Sequence, residues 1–409
     1  MEIYKREKYL KKIRPFYDSD IIKVITGIRR CGKSCVMKLI MDELQERGVG
    51  DDQIIYIPLD KRGFKNIHTP EELETAIESR MKPEVNFFYL FIDEVQNVRG
   101  FESVVQAFQE EENFSIFLTG SNSYLLSDEI STKLTGRYLK FEIYTLDFRE
   151  YLEMKRFRGL EIDSDLYTEL DEYITNGGFP KALEFPDRQA RVFYTRSIVE
   201  EIFEKDIKKR RRIRNKQAFE AVQTYIVNNY SATFSLDHVY EYFRNTAKLK
   251  ITKNTLRNYI DILLKAKIIY RCDRFDQKSK RVLKGEYKFY IADMSLFFSL
   301  NTDNRINYGA SLENIVYLYL ISNDYSVSVG KIGNLECDFI TRDRDNSYAY
   351  IQVSQSVADS KTEDREYRPF TFIRDGYPRY LLTTDRFRNQ KDGVKHLNVL
   401  DVFLGKEMI

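Results

Sequence analysis

Gly27-Ile28-Arg29-Arg30-Cys31-Gly32-Lys33-Ser34 has the G-x-x-x-x-G-K-S spacing of a phosphate loop. It lies between an apolar run, Ile21-Ile22-Lys23-Val24-Ile25, and a helix-like stretch that starts at Ser34. A strand feeding a glycine loop and then a helix turns successive backbone N–H groups inward around phosphate oxygens at the positive end of the helix dipole. Gly27 and Gly32 supply the turn, Lys33 reaches the terminal phosphate oxygens, and the Ser34 hydroxyl can ligate Mg²⁺. With Cys35, which opens the helix, these residues make up the expected nucleotide-binding set.

Working outward, residues 21–145 alternate strand-like apolar runs (21–25, 53–58, 87–93, 114–119 and 138–144) with amphipathic segments. That pattern predicts an α/β core whose parallel sheet is covered on both faces. The run Phe87-Phe88-Tyr89-Leu90-Phe91-Ile92-Asp93-Glu94 is a buried strand ending in two acids, the Walker B pattern. Acids at that end sit where such a sheet presents ligands. Asp93 is expected to hold Mg²⁺ through its water shell and Glu94 to act as general base on the attacking water. The next run ends in Thr119-Gly120-Ser121-Asn122. Asn122 or Ser121, with Thr119 behind them, is the candidate to orient that water. Thr135-Gly136-Arg137 opens the following strand. Arg137 is read either as a cation for transition-state charge, within its own subunit or offered to a neighbour, or as a surface ion pair.

A chain of 409 residues, 43% hydrophobic and 14% aromatic, can bury a large core and suggests several domains. No apolar run is long enough to span a bilayer, and the start Met1-Glu2-Ile3-Tyr4-Lys5-Arg6 has no apolar signal core. Cys31, Cys35, Cys272 and Cys337 show no metal-like spacing and fit a reducing compartment, so a cytoplasmic protein is expected. Cys31 is either a small loop filler or a low-pKa thiol beside Lys33. The net charge of +2 does not call for a nucleic-acid partner. Residues 205–216, however, carry eight cations against one acid. A phosphate-rich partner and an acidic surface of another domain both suit that run.

The pattern from 146 to 215 is helical, broken at Asn176-Gly177-Gly178-Phe179-Pro180. Residues 216–295 read as three helices and a β-hairpin, the outline of a winged helix. Its third helix carries Lys253, Arg257, Lys265 and Lys267, and its wing carries Lys278, Lys280, Arg281 and Lys284. DNA contact and protein packing both remain open for it. A second small α/β unit follows over 296–409. The expected division is thus 1–145, 146–215 as a helical lid with the basic segment, 216–295 and 296–409.

Ile22 through Ser34, Phe91-Ile92-Asp93-Glu94-Val95-Gln96, Leu118 through Ser123 and Leu134-Thr135-Gly136-Arg137-Tyr138 resemble a large prokaryotic family of AAA-type P-loop ATPases with a C-terminal domain of unknown function. Gly177-Gly178-Phe179-Pro180, Tyr290-Ile291-Ala292-Asp293, Leu312-Glu313-Asn314 and Glu336-Cys337-Asp338-Phe339 extend the resemblance over nearly the whole chain. The resemblance implies ATP and Mg²⁺ at Lys33, Ser34, Asp93 and Glu94. The C-terminal unit also resembles a restriction-endonuclease-like fold, with Glu313 and Asp338 in the first two metal-site places. Its third element reads Gln352-Val353-Ser354, an amide for a carboxylate and a serine for a lysine, which points to a degenerate or structural unit. Lys331 and Lys361 are the candidates for a displaced cation. The resulting expectation is an ATPase switch that gates a partner, either DNA through 205–216 and 278–284 or a protein, with a homo-oligomer left open. An ATP-dependent nuclease and a DNA-binding protein that uses ATP structurally are the alternatives.

Overall fold

Five strands carry the phosphate loop and its neighbours: β1 (Ile22–Thr26), β2 (Ile54–Pro58), β3 (Phe88–Asp93), β4 (Phe114–Thr119) and β5 (Tyr138–Glu142). They form one sheet in the order β2-β3-β4-β1-β5, and every pairing is parallel. β1, β3 and β4 are buried at each position. Continuous apolar runs, and not alternation, are what a parallel sheet covered on both faces requires. Because β4 lies between β1 and β3, the ends of these three strands open onto one crevice, the place where such sheets bind ligands.

The structure is a computed structural model that describes residues 2–120, 134, 136–208, 213, 215–301, 307–388 and 390–409. The chain forms two units, one of residues 1–145 with 265–267 and one of 146–264 with 268–409. In the first, helices α1 (Glu7–Ile13), α2 (Lys33–Glu46), α3 (Pro70–Glu78) and α4 (Phe101–Glu110) accompany the sheet. α4 buries Phe101, Val104, Val105 and Phe108, an i, i+3, i+4, i+7 stripe that joins Val24, Leu90 and Ile116 in one core.

The second unit begins with α5 (Phe148–Phe157), α6 (Leu166–Asn176), α7 (Arg188–Glu201) and a π-helical stretch over Ile202–Lys208. Next come α8 (Lys216–Asn228), β6 (Thr233–Phe234), α9 (Leu236–Glu241), α10 (Lys253–Lys265) and the hairpin of β7 (Ile269–Asp276) and β8 (Arg281–Ile291). Helices α11 (Ser295–Leu300) and α12 (Tyr308–Ser322) precede β9 (Ser326–Ile332), β10 (Leu335–Arg342) and β11 (Tyr348–Val353). The chain closes with α13 (Ser360–Tyr367), β12 (Arg379–Thr383), β13 (Val394–Asn398) and α14 (Val399–Phe403).

Eight of these strands form one mixed sheet in the order β13-β12-β11-β10-β9-β7-β8-β6. The join is a parallel pairing of β7 with β9, Arg274 opposite Val329 and Asp276 opposite Lys331. The border expected at 295/296 therefore falls inside a continuous sheet, since pairing between strands distant in sequence leaves no mark on local periodicity. The hairpin turn is tied to the same sheet, the Gln277 N–H donating to the Lys331 carbonyl at 3.0 Å. Lys278, Lys280 and Arg281 remain exposed at that turn.

The Gly177-Gly178 break is a packed junction. The Gly178 N–H donates to Asp293 Oδ2 at 2.8 Å, and the Gly178 carbonyl accepts from the Leu146 N–H at 2.8 Å.

Candidate nucleotide site

The phosphate loop leaves β1 through Gly27, whose φ of +149° is one that side chains rarely adopt. A Cβ there would meet the Ile143 carbonyl oxygen at 2.1 Å. Gly32, at φ +108°, ends the loop, and α2 starts at Lys33. The buried Lys33 ammonium donates to the carbonyls of Gly27 at 3.1 Å and Ile28 at 3.3 Å, so it lies across the loop.

Asp93 ends β3 with only 3% of its surface exposed. Its Oδ1 accepts from the Thr119 hydroxyl, its Oδ2 accepts from Tyr56 O–H at 3.3 Å, and the Ser34 hydroxyl lies beside it. Burial pushes the Asp93 carboxyl above its ordinary pKa, while the bonds from Thr119 and Ser34 pull the other way. The hydroxyl of the loop and the carboxylate of the Walker B strand are thus already in contact. A hydroxyl and a carboxylate are the hard oxygen donors that Mg²⁺ takes.

Glu94 follows in a left-handed conformation, φ +57°, uncommon for a residue with a side chain. Its N–H donates to Thr119 Oγ1 at 3.0 Å, and its carboxylate accepts from the Gln96 side-chain amide. The fully buried Thr119 therefore serves both acids, donating to Asp93 and accepting from the backbone of Glu94. Asn122, with Ser121 and Thr135, lies outside the described residues, and so do 209–212 and 214 of the basic run.

Two open readings narrow. Arg137 precedes β5, where its carbonyl accepts from the N–H of Ile22 at the start of β1. It therefore lies a strand length, roughly 16 Å, from the phosphate loop at the other end of β1. Its guanidinium pairs with Glu110 at 2.7 Å. Arg137 has no route to the phosphates of its own chain. Cys31 is fully buried, and burial pushes its thiol up, which removes the low-pKa alternative. Cys35 is exposed. Brief iodoacetamide treatment of the native protein is expected to alkylate Cys35 and spare Cys31, Cys272 and Cys337, with ATP slowing the reaction; peptide mass mapping reads both.

Arg6 escaped the sequence reading. Only 3% exposed, it donates from one guanidinium nitrogen to the Cys31 carbonyl at 3.1 Å and the Tyr144 carbonyl at 2.9 Å, and it lies over the Tyr9 ring at 4.5 Å. It ties α1, the loop and the segment after β5 together. An Arg6→Met change leaves those carbonyls without a donor, each orphaned group costing about 1–3 kcal/mol. A lower melting temperature and weaker binding of a fluorescent ATP analogue are expected together, with Arg6→Lys intermediate.

The comparisons with known proteins agree with this geometry. A family model described as "AAA domain" matches residues 19–152, and one described as "Domain of unknown function (DUF8612)" matches 167–306. An uncharacterized protein of Haemophilus influenzae is 30% identical over 401 residues, 98% of each chain. An uncharacterized protein of Methanocaldococcus jannaschii is 30% identical over 351 residues, 83% of this chain and 76% of the other. Among solved structures, a Walker-type ATPase of Pyrococcus abyssi shares the fold with a TM-score of 0.51 and 20% identity, over 73% of this chain and 96% of that one.

The fold and the phosphate loop define an AAA-type P-loop ATPase. The chain belongs to the prokaryotic family of such ATPases that carry a C-terminal region of unknown function, together with the Haemophilus influenzae protein.

Proposed function

We propose that the chain is a Mg²⁺-dependent ATPase whose nucleotide state switches its hold on a partner. The observation that carries this reading is the pair of hydrogen bonds by which Thr119 joins Asp93 and Glu94 at the ends of β3 and β4, with Ser34 of the phosphate loop beside Asp93. Gly27 and Gly32 lie on the loop that cradles the phosphates, Cys35 stands in the first turn of α2, and Lys33 leaves the Gly27 and Ile28 carbonyls for the terminal phosphate oxygens. Ser34 and Asp93 would hold Mg²⁺, which neutralises phosphate charge when bound. Glu94, oriented by Gln96, accepts the proton of the attacking water, and Thr119 fixes both acids at once. Arg137, half-exposed beside Glu110, serves the site of a neighbouring copy.

Mixing tests the Arg137 role. Arg137→Ala is expected to lose most turnover and to regain part of it when mixed with Glu94→Gln, because mixed rings or dimers then contain complete sites. Absence of rescue removes the neighbour role.

For the partner, DNA is favoured by the exposed cations Lys278, Lys280, Arg281 and Arg257 on the hairpin turn and α10. The division of the second unit into helical lid, winged-helix-like module and endonuclease-like part belongs to this proposal, as does a cytoplasmic setting, which four free cysteines suit. No helix among the described residues is long and apolar enough to cross a membrane. Turnover measured at low salt with and without duplex DNA decides: stimulation that fades with added salt identifies DNA, and indifference assigns the switch to a protein partner.

A further inference from the structure

A second buried group of charges lies far along the chain from the ATPase motifs. Lys288, on β8, is 4% exposed. Its ammonium lies 2.9 Å from Glu313 Oε1 on α12, 2.8 Å from Glu336 Oε1 and 3.9 Å from Asp338 Oδ1, both on β10. Tyr290 O–H donates to the same Glu313 oxygen at 2.7 Å, and the Val353 N–H donates to Asp338 Oδ2 at 2.8 Å. Burial pushes both Glu313 and Asp338 up, and the Lys288 ammonium is the charge that holds each down.

Carboxylates from a helix and a strand converging on one buried point is an arrangement suited to a hard divalent cation. Here the point is filled from the side by an amine. The remaining polar groups that face it are turned to other partners. The Gln352 side-chain carbonyl accepts from the Asp338 N–H at 3.2 Å, its amide donates to Glu366 at 2.7 Å, and the Ser354 hydroxyl donates to the Ser356 carbonyl at 3.3 Å. Arg274 adds a second cation, 3.4 Å from Glu336. Among the described residues, no set of His, Cys, Asp and Glu side chains is arranged to hold a metal ion.

We propose that Lys288 occupies the cation seat of this sheet, so that the group is a built-in, metal-independent lock joining the β7–β8 hairpin to α12 and β10. The cation beside these carboxylates is Lys288, from a strand that local sequence could not place beside β10, rather than Lys331 or Lys361. The lock plays no part in hydrolysis, because the ammonium is held among three carboxylates and the amide at 352 adds no anionic ligand.

The full-length protein without nucleotide tests this, with Mn²⁺ as the probe. The melting temperature of the wild type is expected to be indifferent to millimolar Mn²⁺, and supercoiled plasmid to stay intact. Lys288→Met is expected to melt lower and to gain at least about 2–4 °C on adding Mn²⁺, because an ion that binds only the folded state stabilises it. Adding Asp338→Asn to Lys288→Met is expected to abolish that gain. A Lys288→Met protein that folds and ignores Mn²⁺ overturns the proposal. So does a wild type whose melting temperature rises with Mn²⁺, or which cleaves plasmid, in a manner that Asp338→Asn removes. If Lys288→Met does not fold, the comparison of wild type with Asp338→Asn decides alone.

Discussion

Replacing Glu94 by glutamine is expected to leave ATP bound and to cut steady-state turnover roughly 10²–10⁴-fold, the range that general-base catalysis contributes. The substitution is nearly isosteric. The glutamine side-chain carbonyl can still accept from Gln96, and the main-chain bond from residue 94 to Thr119 Oγ1 is untouched. What disappears is the carboxylate to which the proposal gives the proton of the attacking water. Lys33→Ala provides the contrast, since removing the ammonium proposed to reach the terminal phosphate is expected to lower ATP affinity as well as turnover. Equilibrium binding of a fluorescent ATP analogue, read beside phosphate release, separates the two. Undiminished hydrolysis by Glu94→Gln would move the base to another residue and leave Glu94 with a structural role.

Gly177→Ala is expected to destabilise the second unit strongly. Gly177 sits at φ +73°, and a Cβ built on it falls 1.8 Å from Asp293 Oδ1 and 2.8 Å from Ser295 Cβ. Asp293 cannot swing away cheaply, because its carboxylate also accepts from the N–H groups of Gly178 and Ser295 and from the Ser295 hydroxyl. A side chain at φ +73°, ψ −173°, a region essentially reserved for glycine, costs about 1–3 kcal/mol and overpacking a further 1–3 kcal/mol, so a loss of roughly 2–6 kcal/mol follows. Gly285→Ala is the control: its φ is +92°, yet nothing lies within 4 Å of the added Cβ, so it carries the strain without the clash. Thermal melts of both proteins give the comparison. Equal shifts would show that Asp293 and Ser295 yield at little cost and that the junction is loose.

What could be read from residues alone was the chemistry written contiguously. The phosphate loop and the Asp93-Glu94 strand end are each a few residues long, and the hydroxyl and carboxylate they contribute meet in the structure. Thr119 ranks behind Asn122 and Ser121 in the sequence because sequence does not reveal strand order; only with β4 between β1 and β3 does its hydroxyl reach both acids. Strand register settled Arg137, since the pairing of Ile22 with Tyr138 fixes which end of the sheet it occupies. Arg6 stands in a run with Lys5, Lys8, Lys11 and Lys12 that reads as a solvated helix face, and only the tertiary fold turns that one cation inward. Lys288 was invisible for the same reason as the β7–β9 pairing: both join segments whose separation along the chain hides them from any local window.

The continuous eight-stranded sheet also says how this protein can be taken apart. A fragment ending near residue 295 keeps the hairpin and loses its supports. Lys288 would be left without Glu313, Glu336 and Asp338, the backbone of Ile291 would lose the bond its N–H donates to Asn314 Oδ1 and the one its carbonyl accepts from the Asn314 amide, and the outer flank of β7 would face water. An uncompensated charge and a bare strand edge are recipes for unfolding and self-association. A truncation or fusion junction placed between the hairpin and the final strands is therefore expected to give an insoluble or protease-sensitive product, and one placed outside the sheet to be tolerated.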